Sequence, residues 1–268
     1  MAVRVVSALI AAAMVIASYF YFHANGLIGF CFICAVGCVY EYTRLTLEKV
    51  GAPKHIRFSF FVFAVLMLVA FGFFNDASLH VLTLISVVFL AMSLSILNSQ
   101  RDLDQVWQIQ SLAVMGFVYV GIFPAMTIRL LQLEKGNFWL FGLLAIVFSG
   151  DTFAYFFGRA FGKHKLLEPA SPKKTVEGAL GGLLGSGLAG FMLGHFFLTS
   201  IPIISMVALA ILTGAFAQAG DLFESVIKRM ANVKDSGRIM PGHGGFLDRL
   251  DGVLFGAPIL YVLSRLLV

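Results

Sequence analysis

The 268-residue sequence is poor in charge: Asp, Glu, Lys and Arg make up 12% of the chain, and hydrophobic residues make up 59%. An ordinary soluble domain has about 25% charged residues. This shortage excludes a water-soluble protein of this size, because too little polar surface is available to cover it. Cysteine is scarce as well. The three cysteines (Cys31, Cys34 and Cys38) follow helical spacing in one apolar run, which excludes a disulfide framework and predicts helix- or lipid-facing thiols.

What the sequence has in abundance is apolar runs of about 20 residues, each long enough to cross roughly 30 Å of hydrocarbon. These runs predict an all-α, polytopic transmembrane helix bundle with about nine spans. The run after Arg4 is longer than a signal-peptide core, so it is predicted to be the first span. We predict N-terminal transmembrane helices over 1–135 and a C-terminal transmembrane catalytic region over 136–268. The nine spans are predicted approximately at 3–22, 26–43, 58–75, 79–97, 110–131, 137–158, 178–198, 201–220 and 246–267.

The basic residues lie between the apolar runs. If the N-terminus is cytoplasmic, all 19 Lys and Arg residues except Arg129, Lys135 and Arg265 fall on the cytoplasmic side. This bias follows the positive-inside rule, so the N-terminus and the loops at 159–177 and 221–245 are predicted to be cytoplasmic. The net charge of +5 is then explained by orientation and by anionic lipid headgroups. No nucleic-acid partner is predicted.

Asp151 lies between apolar residues, where a carboxylate is costly unless it is hydrated, paired or bound to a cation. Two interpretations stay open: a helix end at the membrane interface, or a side chain that faces a wet cavity. The loop 159–177 that follows ends in Ser171-Pro172-Lys173-Lys174-Thr175. Adjacent lysines beside hydroxyl groups predict contacts to a polyphosphate, although a membrane anchor would also use lysines. A helix is predicted to begin soon after Pro172.

The densest polar segment runs from Asp221 to Asp251. Asp221 and Glu224 stand three residues apart, as do Asp248 and Asp251, so each pair shares one helix face. Oxygen ligands of this kind suit Mg²⁺ or Mn²⁺ rather than zinc. His243, between glycines, is a candidate for proton transfer or phosphate contact, with a structural role as the alternative. Intrahelical salt bridges are the alternative for the acidic pairs, but they leave the glycine-rich turn 241–245 unexplained. The segment favours metal-assisted phosphoryl or nucleotidyl transfer to a lipid.

The run from Ser225 to Asp251 resembles the signature of the phosphatidate cytidylyltransferase family (CDP-diacylglycerol synthases). It includes Lys228-Arg229, Lys234-Asp235, Pro241, His243-Gly244-Gly245 and Asp248-Arg249-Leu250-Asp251. Blocks at 150–158 and 171–178 agree, so the resemblance covers about 140–267. It implies transfer of CMP from CTP to phosphatidic acid, giving CDP-diacylglycerol and pyrophosphate in phospholipid biosynthesis. It also implies a bacterial inner-membrane enzyme with a cytoplasmic active site.

The resemblance also implies roles for individual residues. The metal centre would use Asp221, Asp248 and Asp251, with Asp151 and Glu224 as further candidates. The catalytic set would be Asp221, Asp248, Asp251, Lys173, Lys174 and His243. The contacts to CTP would come from Ser171, Lys173, Lys174, Thr175, Ser225, Lys228, Arg229, Gly244 and Gly245.

The implied cofactor is Mg²⁺ or Mn²⁺, with room for two cations of which one could be monovalent. The implied partners are CTP, phosphatidic acid and membrane lipid, and a homodimer stays open. Two other functions also stay open. A CTP-dependent lipid alcohol kinase would release CDP and would need a base such as His243. A cation transporter would use Asp151, Asp221 and Asp248 as an ion path.

Overall fold

The computed structural model describes residues 2–74, 78–93, 102–237, 239 and 244–267. Helices dominate this part of the chain, which confirms the predicted polytopic helical membrane protein. Two π-helical turns, Arg44–Glu48 and Phe117–Ile122, follow α1 and α4. The other elements are α1 (Ala2–Thr43), α2 (Lys54–Phe73), α3 (Ser78–Ser93), α4 (Leu103–Gly116), α5 (Phe123–Leu131), α6 (Gly136–Phe161), β1 (Lys165–Leu167), β2 (Ser171–Thr175), α7 (Val176–Phe196), α8 (Ile203–Met230) and α9 (Leu247–Leu267).

The number of predicted spans, nine, is wrong for the described residues, in which seven helical segments are long and apolar enough to cross a membrane. The predicted spans 3–22 and 26–43 both lie in α1, in which two helices meet at a kink: the backbone of His23 (φ 52°, ψ −136°) is not helical. The predicted span 79–97 overlaps α3 over residues 79–93, and its positions 94–97 lie outside the described residues.

The chain divides into two compact units, and the first contains Met1–Ile128 and Met230–Arg249. Its core is built by aromatic side chains on α1, α2 and the second π-helical turn. The rings of Phe60 and Phe117 stack with 5.0 Å between centroids, and Tyr42 packs edge-on against Tyr119. The buried Tyr42 hydroxyl donates to the Leu112 carbonyl at 2.7 Å, so the polar atom of this ring is satisfied inside the core.

The second unit contains Arg129–Arg229 and Leu250–Val268. Glycines let α6 and α7 approach closely, as small residues do in membrane bundles. A Cβ atom added at Gly185 would lie 2.7 Å from the Ser149 carbonyl oxygen. The buried Ser186 hydroxyl donates across the same interface to the Ile146 carbonyl at 3.0 Å. Helices α6 and α7 are therefore closely packed. The end of α6 and the start of α7, between which the connecting segment runs, are held in position by this packing.

That connection is a β-hairpin. Strands β1 and β2 pair antiparallel, with Lys165 opposite Thr175 and Leu167 opposite Ser171. Helix α7 begins at Val176, later than the predicted start after Pro172, because Pro172 to Thr175 belong to β2. Thr175 caps α7: its Oγ1 accepts the Gly178 amide at 3.2 Å, which satisfies one of the free amide donors of the first turn.

Candidate active site

A cavity of about 370 Å³ lies in the second unit, where β2 and the start of α7 meet α6 and α8. Both signs of charge line it. The acidic side chains are Asp151 and Asp221, and the basic side chains are Arg159, Lys173 and Lys174. A cavity with cationic side chains at a membrane helix end suits a phosphate-bearing ligand.

Lys174 and Asp221 form an ion pair across this cavity, from β2 to α8. Both side chains are about 30% exposed, at 29% and 30%, so the pair is open to a ligand. Asp151, on α6, lines the same cavity. Of the two interpretations of Asp151, the structure therefore favours the side chain that faces a cavity. The sequence-predicted residues Asp151, Lys173, Lys174, Thr175 and Asp221 all meet here.

The hairpin that carries the lysines is held in place by side chains at its base. Glu177 accepts the amides of Lys163 at 3.0 Å and His164 at 3.2 Å, and it contacts His164 Nδ1 at 2.6 Å. On the far side, Arg229 Nε donates to the Ala170 carbonyl at 3.3 Å. Lys165 Nζ donates within the hairpin to the Pro172 carbonyl at 2.6 Å. These bonds fix β2, so that Lys173 and Lys174 are presented to the cavity without a large ordering cost on binding.

Three carboxylates converge beside the cavity. Ligand atoms of Asp221, Glu224 and Asp251 all lie within 4.8 Å of one another. Asp221 and Glu224 share a face of α8, as their spacing predicts, and Asp251 comes from α9. The close approach needs Gly220, because a Cβ atom there would lie 2.5 Å from the Asp251 carbonyl oxygen. Glu224 is fully buried and contacts Lys228, four residues on. A set of carboxylate oxygens fits Mg²⁺ or Mn²⁺.

The remaining predicted metal ligand, Asp248, is described within the first unit. Its Oδ2 accepts the amides of Ser236 at 2.7 Å and Gly245 at 2.8 Å, and it contacts the Ser236 hydroxyl at 2.9 Å. Gly244 has φ +84°, a left-handed backbone that glycine adopts most easily. His243 lies outside the described residues.

Sequence reasoning missed Glu41. This residue falls in the predicted span 26–43, yet its side chain is 1% exposed and contacts the segment before α9. The signal was an acidic residue within an apolar span, which is costly unless it is paired. It also missed Tyr155, Arg159 and Gln218, which line the cavity. For Arg159, the sequence predicts only a basic residue at the start of the cytoplasmic loop 159–177.

The sequence of the chain is similar to those of known proteins. The profile of the cytidylyltransferase family matches residues 2–267. The chain belongs to the cytidylyltransferase family. A Staphylococcus saprophyticus protein named phosphatidate cytidylyltransferase is 38% identical over 191 residues, which cover 70% of each chain. A Staphylococcus haemolyticus protein of the same name is 32% identical over 236 residues, 87% of this chain and 88% of the relative. A third, from Staphylococcus epidermidis, is 39% identical over 182 residues, 67% of each chain.

Several other residues that the cytidylyltransferase resemblance assigns to CTP also belong to the second unit. Among the described residues of the second unit, the wall does not include Ser171, Ser225, Lys228 or Arg229. Lys228 instead contacts Glu224, and Arg229 supports the hairpin. Gly245 donates its amide to Asp248. Direct contacts from these residues to CTP stay predictions.

Proposed function

We propose that this protein is a phosphatidate cytidylyltransferase, which transfers CMP from CTP to phosphatidic acid and releases pyrophosphate. The observation that carries the proposal is the three-carboxylate cluster of Asp221, Glu224 and Asp251 beside a lysine-lined cavity in a membrane helix unit. Family membership and the names of the relatives support it. The catalytic region proposed for this chemistry is 136–268.

The reaction joins two anions, so the site must neutralise charge and align the reactants. A phosphate oxygen of phosphatidate attacks the α-phosphorus of CTP, a new P–O bond forms, and the bond to the β-phosphate breaks. The attacking phosphate is already ionised, so no general base is needed. Lys173 and Arg159, both exposed on the cavity wall, are proposed to bind phosphate oxygens, and Lys174 is proposed to steady the leaving pyrophosphate.

Asp221, Glu224 and Asp251 are proposed to hold Mg²⁺ or Mn²⁺, and Asp151 and Asp248 are further candidates. A bound divalent cation would supply charge neutralisation at the phosphates. The side chains contribute the rest. Lys174 keeps Asp221 turned toward the cavity through their ion pair, and Lys228 compensates the buried charge of Glu224. Asp221 and Glu224 each contact a lysine, and Asp251 accepts the Gly252 amide. The cluster is therefore organised before substrate binds.

The membrane setting agrees with a lipid substrate. Tyr155 and Phe156 are each 60% exposed on α6, next to the cavity residue Arg159. Exposed aromatic rings on a helix long enough to span a membrane suit contact with lipid. The Arg159 side chain would bind the headgroup phosphate. The bias of basic residues supports placing this end of α6 on the cytoplasmic side of a bacterial inner membrane, where CTP is available.

The test is a product assay on the purified full chain in detergent, with CTP, phosphatidate and Mg²⁺. CDP-diacylglycerol and pyrophosphate should appear in equal amounts, and EDTA should stop both. Release of CDP from a lipid alcohol, with no pyrophosphate from phosphatidate, would replace the proposal with a lipid kinase. No turnover of either pair by folded protein would reject both enzymes.

A further inference from the structure

Glu41 is an acidic residue buried in the first unit, far in sequence from the residues of the candidate active site. It lies near the end of α1 with a side chain that is 1% exposed. Its Oε1 accepts the Phe246 amide at 3.0 Å, and its Oε2 accepts the Leu247 amide at 3.0 Å and the Ser236 hydroxyl at 2.8 Å. The carboxylate therefore binds the first turn of α9, whose free amides and dipole favour negative charge.

The backbone around this carboxylate is shaped to admit it. A Cβ atom at Gly237 would lie 2.9 Å from the Glu41 Cδ atom, and one at Gly245 would overlap both Glu41 oxygens. One turn earlier on α1, Gly37 leaves room for the ring of Phe246. A buried charge is costly unless its hydrogen bonds are complete, and here Gly237, Gly245 and the amides of Phe246 and Leu247 surround it. These contacts tie the start of α9 to α1.

The same contacts reach Asp248. The Ser236 hydroxyl lies 2.8 Å from Glu41 Oε2 and 2.9 Å from Asp248 Oδ2, and it accepts the Asp248 amide at 3.3 Å. A hydroxyl carries one hydrogen, so it donates to one carboxylate at a time while it contacts both. Glu41 thus fixes the start of α9 directly, and it acts on the Asp248 side chain through Ser236.

We propose that Glu41 is a positioning residue, which holds Ser236 and the start of α9 at Phe246 and Leu247 so that the Asp248 carboxylate is correctly oriented. The catalytic consequence rests on the function proposed above. The structural part does not, because it depends only on contacts within the first unit. Glu41 does not itself touch substrate in this proposal.

The experiment compares Glu41→Gln with Glu48→Gln in the full chain. Backbone amides only donate, so the NH₂ group of glutamine would face a donor where Glu41 has an acceptor. Glu48 is a matched control: it follows on the same segment, it is 54% exposed and it pairs with Arg57 at the surface. Hydrogen exchange of peptides that cover 236–250 is measured together with kcat and KM for both substrates.

Glu41→Gln should speed exchange in 236–250 while peptides from 136–161 stay unchanged, and kcat should fall roughly 10- to 100-fold with KM for CTP little altered. Glu48→Gln should match the wild type in every measurement. Faster exchange throughout the chain would reduce Glu41 to a general structural residue and overturn the proposal, as would unchanged exchange in 236–250. If the wild type lacks cytidylyl transfer, the proposed function fails while the exchange data still decide the structural part.

Ser236→Ala tests the route to Asp248, since it removes the shared hydroxyl and leaves the bonds from Glu41 to Phe246 and Leu247. Residues that act through one another are non-additive. The double variant with Glu41→Gln should therefore lose less kcat than the product of the two single losses. Independent losses would overturn the route through Ser236.

Discussion

The two units each contain a group of acidic side chains, and the two groups are stabilised in opposite ways. In the first unit, Glu41 and Asp248 accept hydrogen bonds from backbone amides of the chain around them. In the second, Asp221, Glu224 and Asp251 face one another within 4.8 Å. The first group is held mainly by backbone amides, whereas the second brings three like charges together, two of which contact a lysine. Such a group gains stability when it binds a cation.

This difference separates a structural use of carboxylates from a functional one. Amide donors at a helix start bind a carboxylate with fixed direction, so substitution in the first group should disturb the local backbone. Repulsion among carboxylates works against folding, so substitution in the second group should spare or even raise stability while it removes activity. Asp248 is the informative case, because its contacts place it in the first group and the family resemblance assigns it to the metal centre.

The largest effect is expected for Asp251→Asn. Its side chain accepts the Gly252 amide at 2.7 Å, which asparagine can still do, but the charge that faces the other two carboxylates is lost. Loss of a cation ligand worth several kcal/mol corresponds to a fall in kcat of about 1000-fold. Without divalent cation, the Tm in detergent should be no lower than that of the wild type. Added Mg²⁺ should raise the Tm of the wild type but not of the variant.

Asp104→Asn is the matched control for that prediction. Asp104 is an exposed aspartate in the first turn of α4, and its loss should leave both kcat and the Mg²⁺ response of Tm unchanged. Equal Mg²⁺ stabilisation of wild type and Asp251→Asn would mean that the cluster is not the cation site.

Asp248 can be tested with two substitutions that both remove its charge but differ in whether the side chain can still accept a hydrogen bond. Asp248→Asn keeps an oxygen that can accept the Ser236 and Gly245 amides, so the segment should remain folded while kcat falls roughly several hundred-fold, within the range for a lost electrostatic contact. Asp248→Ala removes the acceptor as well, leaves buried amides unsatisfied, and should also lower Tm. Full activity of Asp248→Asn in a folded protein would remove Asp248 from the metal shell and leave it wholly in the first group.

Much of the second unit could be predicted from sequence because its chemistry is local. The i,i+3 spacing of Asp221 and Glu224 on one helix face, and the adjacent lysines after Pro172, follow from periodicity and composition. The approach of Asp251 to Asp221 was expected only through the family resemblance, which assigns both residues to the metal centre. The contact between Lys174 and Asp221 was not predicted, since it depends on a β-hairpin whose pairing the polar loop does not reveal.

The role of Glu41 could not be predicted, for a different reason. Its partners lie about 200 positions away, at separations of 195 to 206 residues, and no local pattern encodes such a contact. Hydropathy averaged over a window also hides one carboxylate among apolar neighbours. Hydropathy also separates the runs 3–22 and 26–43 without showing whether the chain turns back between them; in the structure both lie in α1, with a kink at His23.

Of the three sites Asp251, Asp248 and Lys174, the smallest effect is expected at Lys174, which contacts Asp221 of the second group but is not a carboxylate. Lys174→Met removes the cation that contacts Asp221 and faces the cavity, so kcat should fall roughly 100-fold, as for loss of one preorganised donor, and KM for CTP should rise. Lys163→Met is the control, because the exposed Lys163 uses its amide, not its side chain, to bind Glu177. Lys174→Arg should recover part of kcat if charge suffices. If Lys174→Met lowered Tm but left kcat and KM unchanged, the ion pair with Asp221 would be a structural contact. Activity would then depend on the carboxylates of the second group and not on Lys174.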